Sequence, residues 1–211
     1  MADWLMRFVS FSAVALAAAS LATGAVASGQ PKFSLASLPG LVAPKPPLPK
    51  NTPWLDLTTS DGDSRAFNLQ SSWIFEPGLL MNAVQRAGFR RGYRRLWGAD
   101  KLQTYDYREV RGFALLFRTA SGARIALTAM HRDDRKHMPP GSFLRWQGFG
   151  DGSYGFAETG HEPDAVYEWR AGNVVLIAQA DCGGVTCQFD DVVPVAHAYA
   201  KALEARAKRT S

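Results

Sequence analysis

Cysteine is scarce in this chain, with two in 211 residues, and both lie in the segment DCGGVTC as Cys182 and Cys187. Their spacing differs from the C-x-x-C of redox enzymes, and two thiols without neighbouring histidines make a poor zinc site. The intervening glycines allow a tight turn, and an even cysteine count in an exported chain predicts a structural disulfide between Cys182 and Cys187.

Apolar runs long enough to cross a bilayer are absent after the N-terminal segment. Within that segment, residues 8–22 are apolar or small, and an A-x-A site ends at Ala27. This pattern predicts a signal peptide over residues 1–27, cleaved before Ser28. The alternative is an uncleaved anchor, because residues 8–27 are about as long as a membrane span requires. Either outcome predicts an extracytoplasmic protein that is secreted, periplasmic or attached to the cell envelope.

A strong charge of one sign is also lacking, since 24 lysines and arginines against 19 acidic residues give a net charge of +5. Such mild basicity favours acidic partners in general and identifies none of them. Proline, in contrast, is concentrated in APKPPLPKNTP, which ends at residue 53. Proline-rich runs favour extended backbone, so residues 28–53 are predicted to form a semi-rigid linker. Residues 54–211 are then long enough for one well-buried domain.

Three amphipathic segments predict helices. The first is EPGLLMNAVQRAGF, closed by Gly88; the second covers residues 121–135 with Ser121 as its N-cap; the third covers residues 190–208. The residues predicted to be buried are Leu79, Leu80, Ala83, Val84 and Ala87 in the first helix, Ile125, Ala126, Ala129 and Met130 in the second, and Val192, Ala196, Tyr199, Leu203 and Ala207 in the third.

Strands are predicted between these helices, where WLDLT, GYRRLW and LQTYDYREVRGFALLF are rich in aromatic and β-branched residues. The clearest hairpin is AVYEWR-AG-NVVLIAQA, with its turn at Ala171-Gly172. Its second strand is apolar on both faces, which indicates a central strand. The pattern predicts a single α+β domain with a mainly antiparallel sheet and about three helices packed on one side.

The order of these parts has a counterpart in a known family. The marks are Gly150-Asp151-x-Ser153 and Arg170-x-Gly172-Asn173-Val174-Val175, between the helix start FRTASGARIAL and the closing amphipathic helix. Over about residues 107–207 this layout resembles the extracellular sensor domain of mycobacterial PknH-type receptor kinases and, more loosely, PsbP-like α+β domains. The resemblance implies a compact α+β domain that binds a ligand outside the membrane, and it carries no catalytic residues.

The segment GDGSYG, residues 150–155, matches the G-x-G-x-x-G fingerprint of dinucleotide-binding folds. That motif requires a helix after the glycines, whereas the segment that follows, FAETGHEPDAVYEW, has no continuous stripe of apolar residues at helical spacing. We therefore expect a turn that positions Asp151 and Ser153 for backbone hydrogen bonds, with no nucleotide and no other cofactor. The serine-hydrolase elbow G-x-S-x-G is nearly matched as well, but Asp151 replaces its first glycine.

The segment MHRDDRKH brings His131, Asp133, Asp134 and His137 together in sequence. Its alternating charges are typical of a solvated helix end, so no metal site and no catalytic residue are predicted. A cryptic secreted hydrolase is nevertheless the alternative function, with Ser153, His161 or the His131–Asp134 pair contributing. A third hypothesis is a structural or inhibitory module that presents the loop between the two cysteines as a contact tip.

The stretch RAGFRRGYRRLWGADK interleaves basic and aromatic residues. Guanidinium groups bind phosphate or carboxylate in a bidentate way and stack on aromatic rings. The candidate anion-binding residues are Arg90, Arg91, Arg94, Arg95 and Lys101. The alternative is that the aromatic rings belong to the core and the arginines extend from its rim. The preferred function is a non-enzymatic binding or sensor-like domain for an anionic envelope polymer, a lipid surface or a protein; nucleic acid is not expected.

Overall fold

The computed structural model describes residues 32–48, 50, 52–57, 66–69, 78–100, 107–144, 148–158, 163–183 and 189–210. Its strands are β1 (Leu55–Asp56), β2 (Ala66–Phe67), β3 (Phe89–Asp100), β4 (Tyr107–Phe117), β5 (Phe143–Leu144), β6 (Asp151–Glu158), β7 (Asp164–Ala171) and β8 (Val174–Gly183). Its helices are a 3₁₀ turn at Leu35–Ser37, α1 (Leu38–Leu41), α2 (Leu79–Arg86), α3 (Ala120–His137) and α4 (Phe189–Thr210). The predicted signal peptide lies outside these residues. Among the helices of the described ranges, none is long and apolar enough to span a membrane.

The eight strands form one antiparallel sheet in the order β1-β3-β4-β8-β7-β6-β5, and β2 pairs with β3 beside this path. Strand β8 lies between β4 and β7, which confirms the central position that its apolar sequence predicts. The β7–β8 hairpin turns at Gly172, whose φ of 59° is a left-handed conformation that favours glycine. The α+β class and the antiparallel sheet are confirmed.

Helices cover both faces of the sheet, whereas the sequence predicted them on one side. Along β8, Val174 and Leu176 belong to the core under α1 and α4, which we call the α4 face. Val175 and Ile177 belong to the core under α2 and α3, which we call the α3 face. A central strand that is apolar on both sides needs a covering layer on each, and this requirement explains the difference.

The predicted buried residues of the helices are confirmed in part. All five positions predicted for α4 are buried. In α3, Ala126 and Met130 are buried, but Ile125 is 53 % exposed. The cap of α3 also differs, because the Thr119 side chain, not that of Ser121, accepts a hydrogen bond from Gly122 N at 3.0 Å. The buried stripe of α3 includes Ala123 and Leu127 in place of Ile125.

The segment predicted as a linker packs against the domain over part of its length. Phe33, Leu38, Leu41 and Val42 are buried in the core of the α4 face. The buried Asn173 side chain holds this segment by accepting from Phe33 N at 2.9 Å and donating to Phe33 O at 3.0 Å. The proline content predicted an extended backbone. The segment packs on the domain because burial of its four apolar side chains lowers the free energy.

Candidate anion-binding surface

One end of the sheet is built from close backbone contacts among four segments. Arg118 N donates to Gly88 O at 3.0 Å, which joins the end of β4 to the start of β3. Asn173 Nδ2 donates to Phe117 O at 3.2 Å, which joins the β7–β8 turn to the same place. Lys32 lies against Gly172, so the described chain also begins at this end of the molecule.

Six exposed basic residues lie on these segments or on the adjoining ends of α2 and α3, and we call the surface that they form the basic end. Its members are Lys32, Arg86, Arg90, Arg91, Arg118 and Arg124. Among the described residues, two acids lie near this end and each binds a base: Asp151 pairs with Arg170, and Glu204 pairs with Lys208 at 3.1 Å. The surface of the basic end therefore carries a net positive charge.

The opposite end of the same sheet is rich in carboxylates. At this end β4 and β7 begin, and β6 and β8 end. The carboxylates on these strand ends are Glu109, Glu158, Asp164 and Asp181. Arg111 lies among them and pairs with Glu109 and, at 3.1 Å, with Asp181. Charge is thus separated along the strand direction, and an anion approaching the domain is attracted to the basic end and repelled from the other.

An open groove of about 600 Å³ lies between α2 and α3 at the basic end. Arg86, Arg124 and Arg132 line it, together with Ala83, Ala87, Ile125, Thr128 and Ala129. No acidic residue of the described ranges lines the groove. The groove has the volume of a small-ligand site. The guanidinium group of each arginine can form bidentate hydrogen bonds with one phosphate or carboxylate group.

A close backbone approach fixes the two helices that form this groove. A Cβ atom at Gly122 would lie 2.2 Å from Ala87 O, so only glycine allows α3 to start against the end of α2. Gly88 then ends α2 with a φ of 87°, as the sequence predicted. These two glycines place Arg86 and Arg124 on facing helices.

The predicted arginine patch does not form one surface. Arg94 is paired in register with Phe113 of the α3 face, whereas Arg95 is paired with Gly112, which contacts Tyr199 of α4. Arg95 is also engaged, since it pairs with Asp56 at 3.1 Å. The alternation within β3 therefore divides the patch, as residues of one strand alternate between faces.

The other members of the predicted patch have different positions. Arg90 and Arg91 are exposed and belong to the basic end, and Lys101 lies outside the described residues. Sequence reasoning missed Lys32, Arg118 and Arg124 because they are distant in sequence from this stretch. The signal that could have found Arg118 and Arg124 is their position next to a predicted strand end and a predicted helix start, whereas Lys32 lies in the predicted linker and carries no such signal.

The glycine fingerprint has a structural role. Gly150 is followed by strand β6 rather than by a helix, so the arrangement that holds a dinucleotide is not formed. A Cβ atom at Gly150 would lie 2.4 Å from Arg170 O, which explains the glycine. Ser153 Oγ donates to Phe149 O at 2.5 Å, in agreement with the predicted turn, while Asp151 pairs with the Arg170 side chain.

The residues of the alternative hydrolase are not gathered at one place. Ser153 contacts Phe149, which belongs to the α4 face, whereas His131 and Asp134 contact Tyr154 of the α3 face. His161 lies outside the described residues. Among the described residues, no hydrogen bond or ring contact joins Ser153 to His131 or Asp134, and no group of three metal-binding side chains is found there either.

Asp134 is part of a buried network that the sequence did not predict. The Tyr154 hydroxyl lies 2.6 Å from Asp134 Oδ2 and 2.5 Å from Glu168 Oε2, and the His131 ring stacks on Tyr154 with centroids 4.1 Å apart. His131 Nε2 accepts from Arg135 Nε at 2.9 Å, so the imidazole is neutral there. The network connects α3 to β6 and β7.

The geometry of this network requires an additional proton. A tyrosine hydroxyl has one proton, so it donates to one carboxylate while the other acid donates to the hydroxyl oxygen. Glu168 is 6 % exposed, and burial together with the charge of Asp134 raises its pKa to about 8. Glu168 is therefore the protonated acid at neutral pH, and Asp134 accepts from Tyr154. Burial raises the pKa of Asp134 as well.

A pH dependence of stability follows from Glu168. Its pKa is 4.5 when unperturbed and about 8 in the folded protein, so the folded form binds the proton more tightly between these values. The stabilisation is complete below pH 4.5 and is lost as the pH rises to about 8, with a slope of up to about 1.4 kcal/mol per pH unit. We expect Glu168→Gln, whose amide donates like the protonated acid, to gain stability relative to wild type as the pH rises.

Denaturant unfolding followed by tryptophan fluorescence at several pH values measures this effect. We expect the difference between variant and wild type to change by a few kcal/mol across the interval. Parallel pH profiles for the two proteins would contradict the assignment of the proton to Glu168.

The cysteine predictions are only partly covered by the described residues. Cys182 is buried near the end of β8, and Cys187 lies outside the described residues. The disulfide between them and the contact tip formed by their loop therefore stay predictions.

The chain matches no protein-family model and no curated protein. Among solved structures it is similar to the extracellular domain of PknH from Mycobacterium tuberculosis, with a TM-score of 0.41 and 14 % sequence identity. The similarity covers 85 % of this chain and 97 % of the PknH domain. The weak resemblance that the sequence marks predicted is thereby confirmed.

Proposed function

We propose that this chain is an extracytoplasmic, non-enzymatic binding domain that takes an anionic ligand, bearing phosphate or carboxylate groups, at the basic end. The observation that carries the proposal is the groove between α2 and α3, which Arg86, Arg124 and Arg132 line without an acidic residue among the described lining residues. Isolated surface charges contribute little to the stability of a fold. Exposed arginines that pair with no described acidic residue are therefore better suited to binding a ligand.

The separation of charge supports the same function. The carboxylates of the opposite end direct an anion toward the basic end and raise the rate of productive encounter. The predicted signal peptide supports the location, since ligands outside the cytoplasm include anionic envelope polymers and lipid headgroups. A hydrolase is disfavoured, because the Ser153 hydroxyl donates to Phe149 O and contacts neither His131 nor Asp134 among the described residues.

Titration calorimetry with inorganic polyphosphate tests this proposal. We expect the triple variant Arg86→Glu, Arg124→Glu, Arg132→Glu to bind at least about 100-fold more weakly than wild type. The reason is that each charged hydrogen bond contributes about 1.5 kcal/mol, and 1.4 kcal/mol corresponds to a factor of ten. Raising the ionic strength from about 0.05 M to about 0.3 M should weaken the wild-type binding as well.

The matched control reverses three exposed lysines that lie outside α2 and α3, with Lys45→Glu, Lys50→Glu and Lys201→Glu. Both triple variants change the net charge equally, so a general electrostatic effect would weaken both. Retained affinity in the control and lost affinity in the groove variant support the proposal. Equal affinities for the two variants, or no binding of polyphosphate by wild type, would overturn it.

A further inference from the structure

The described chain begins at the basic end, and its first residues are held there. Asn173, which is 1 % exposed, binds both the N–H and the carbonyl of Phe33, and Lys32 lies against the Gly172 turn. The segment that precedes Lys32 therefore leaves the domain beside Arg118 and the start of β3. It does not leave from the carboxylate-rich end.

The distance between the domain and the N-terminal apolar segment is short. Residues 8–27 are apolar or small, and residues 28–31 are the only ones between them and Lys32. Five extended peptide units from Ala27 to Lys32 span at most about 17 Å. Because the chain is docked from Phe33 onward, the proline-rich run after it adds nothing to this reach. When residues 8–27 are retained as the uncleaved anchor, the alternative to a cleaved signal peptide, the membrane that holds them therefore lies close to the basic end.

A bilayer with anionic lipids matches the chemistry of this end. Each lysine or arginine near such a surface contributes about 1 kcal/mol, and the attraction falls off within a Debye length of about 8 to 10 Å. Two exposed apolar side chains accompany the basic residues: Leu35 follows Lys32, and Ile125 follows Arg124, and each is 53 % exposed. Basic residues beside exposed apolar ones are typical of surfaces that lie in a lipid interface.

We propose that the basic end rests on an anionic phospholipid bilayer, with the N-terminal segment entering the membrane beside it and the carboxylate-rich end directed away. This inference rests on the proposed function, because it identifies the anionic ligand as lipid headgroups. It adds an orientation, which a soluble anion bound in the groove would not require. In the opposite orientation on the bilayer, Glu158, Asp164 and Asp181 would face the lipid phosphates. These negative charges would repel each other.

Fluorescence quenching with the full chain in vesicles tests the orientation. One fluorophore is attached through Ser121→Cys at the start of α3, and a second through Glu158→Cys at the opposite end; both positions are exposed. The vesicles contain either phosphatidylglycerol with phosphatidylcholine or phosphatidylcholine alone, and a headgroup-labelled lipid acts as the quencher. We expect the label at residue 121 to be quenched several-fold more than the label at residue 158 in the anionic vesicles.

The control variant Arg90→Glu, Arg91→Glu, Arg118→Glu should reduce this difference, as should pure phosphatidylcholine, because only the N-terminal segment then holds the domain at the membrane. Equal quenching of the two labels in anionic vesicles, or stronger quenching at residue 158, would overturn the orientation. If wild type then still binds polyphosphate, only the membrane inference fails. If polyphosphate binding is absent too, the proposed function fails with it.

Discussion

Replacing Asn173 with alanine is expected to lower the free energy of unfolding by about 3 kcal/mol and to release residues 33–42 from the domain. The Asn173 side chain accepts from Phe33 N at 2.9 Å and donates to Phe33 O at 3.0 Å and Phe117 O at 3.2 Å. Alanine would leave these three buried backbone groups without their partner, and each unsatisfied group costs about 1 kcal/mol or more. Denaturant unfolding measures the stability, and limited proteolysis with mapping of the cleavage sites measures the release.

The matched control is Asn82→Ala, since Asn82 is exposed on α2. A surface substitution of this kind changes stability by about 0.5 kcal/mol or less. If the two asparagine variants are equally stable, or if residues 33–42 resist proteolysis equally in both, Asn173 does not hold the N-terminal segment. In that case the direction in which the chain leaves the domain would have another cause.

Replacing Gly122 with alanine is expected to cost about 2 to 3 kcal/mol and to weaken polyphosphate binding. The added Cβ atom would lie 2.2 Å from Ala87 O, a backbone atom that can move only if α2 and α3 separate. Separation of these helices would spread Arg86 and Arg124, which must converge on one ligand. Unfolding curves and calorimetry with polyphosphate measure the two effects.

Gly40→Ala is the matched control for this substitution. A Cβ atom at Gly40 would lie 3.6 Å from Arg206 Nη2, an ordinary contact with the end of a flexible side chain. We therefore expect Gly40→Ala to be close to wild type in stability and in binding. A Gly122→Ala variant that binds polyphosphate as tightly as this control would show that the spacing of the two helices does not determine the site.

The elements that sequence predicts well here are those whose pattern is local. The β7–β8 hairpin is marked by its turn at Gly172, and α4 by apolar residues at helical spacing that are all buried. In α3 the predicted buried stripe was out of phase, because Ala123 and Leu127 pack on the sheet and Ile125 faces the solvent. The burial of Phe33 was not predictable from composition, since its partner Asn173 is distant in sequence.

The candidate site was predictable only in its chemistry. A dense arginine stretch indicated anion binding, and Arg90 and Arg91 do belong to the basic end. The alternation within β3, however, sends Arg94 and Arg95 to opposite faces, and the pairing of Arg95 with Asp56 arises from strand order. The remaining members of the basic end come from separate segments that only the antiparallel sheet brings together.

Hydrogen–deuterium exchange of the full chain, with and without inorganic polyphosphate, shows which end of the domain binds the anion. Binding at the basic end predicts slower exchange over residues 83–91 and 117–132, with residues 156–158 and 178–183 unchanged. Slower exchange confined to the latter two segments, or no change anywhere in the chain, would contradict binding of the anion at the basic end.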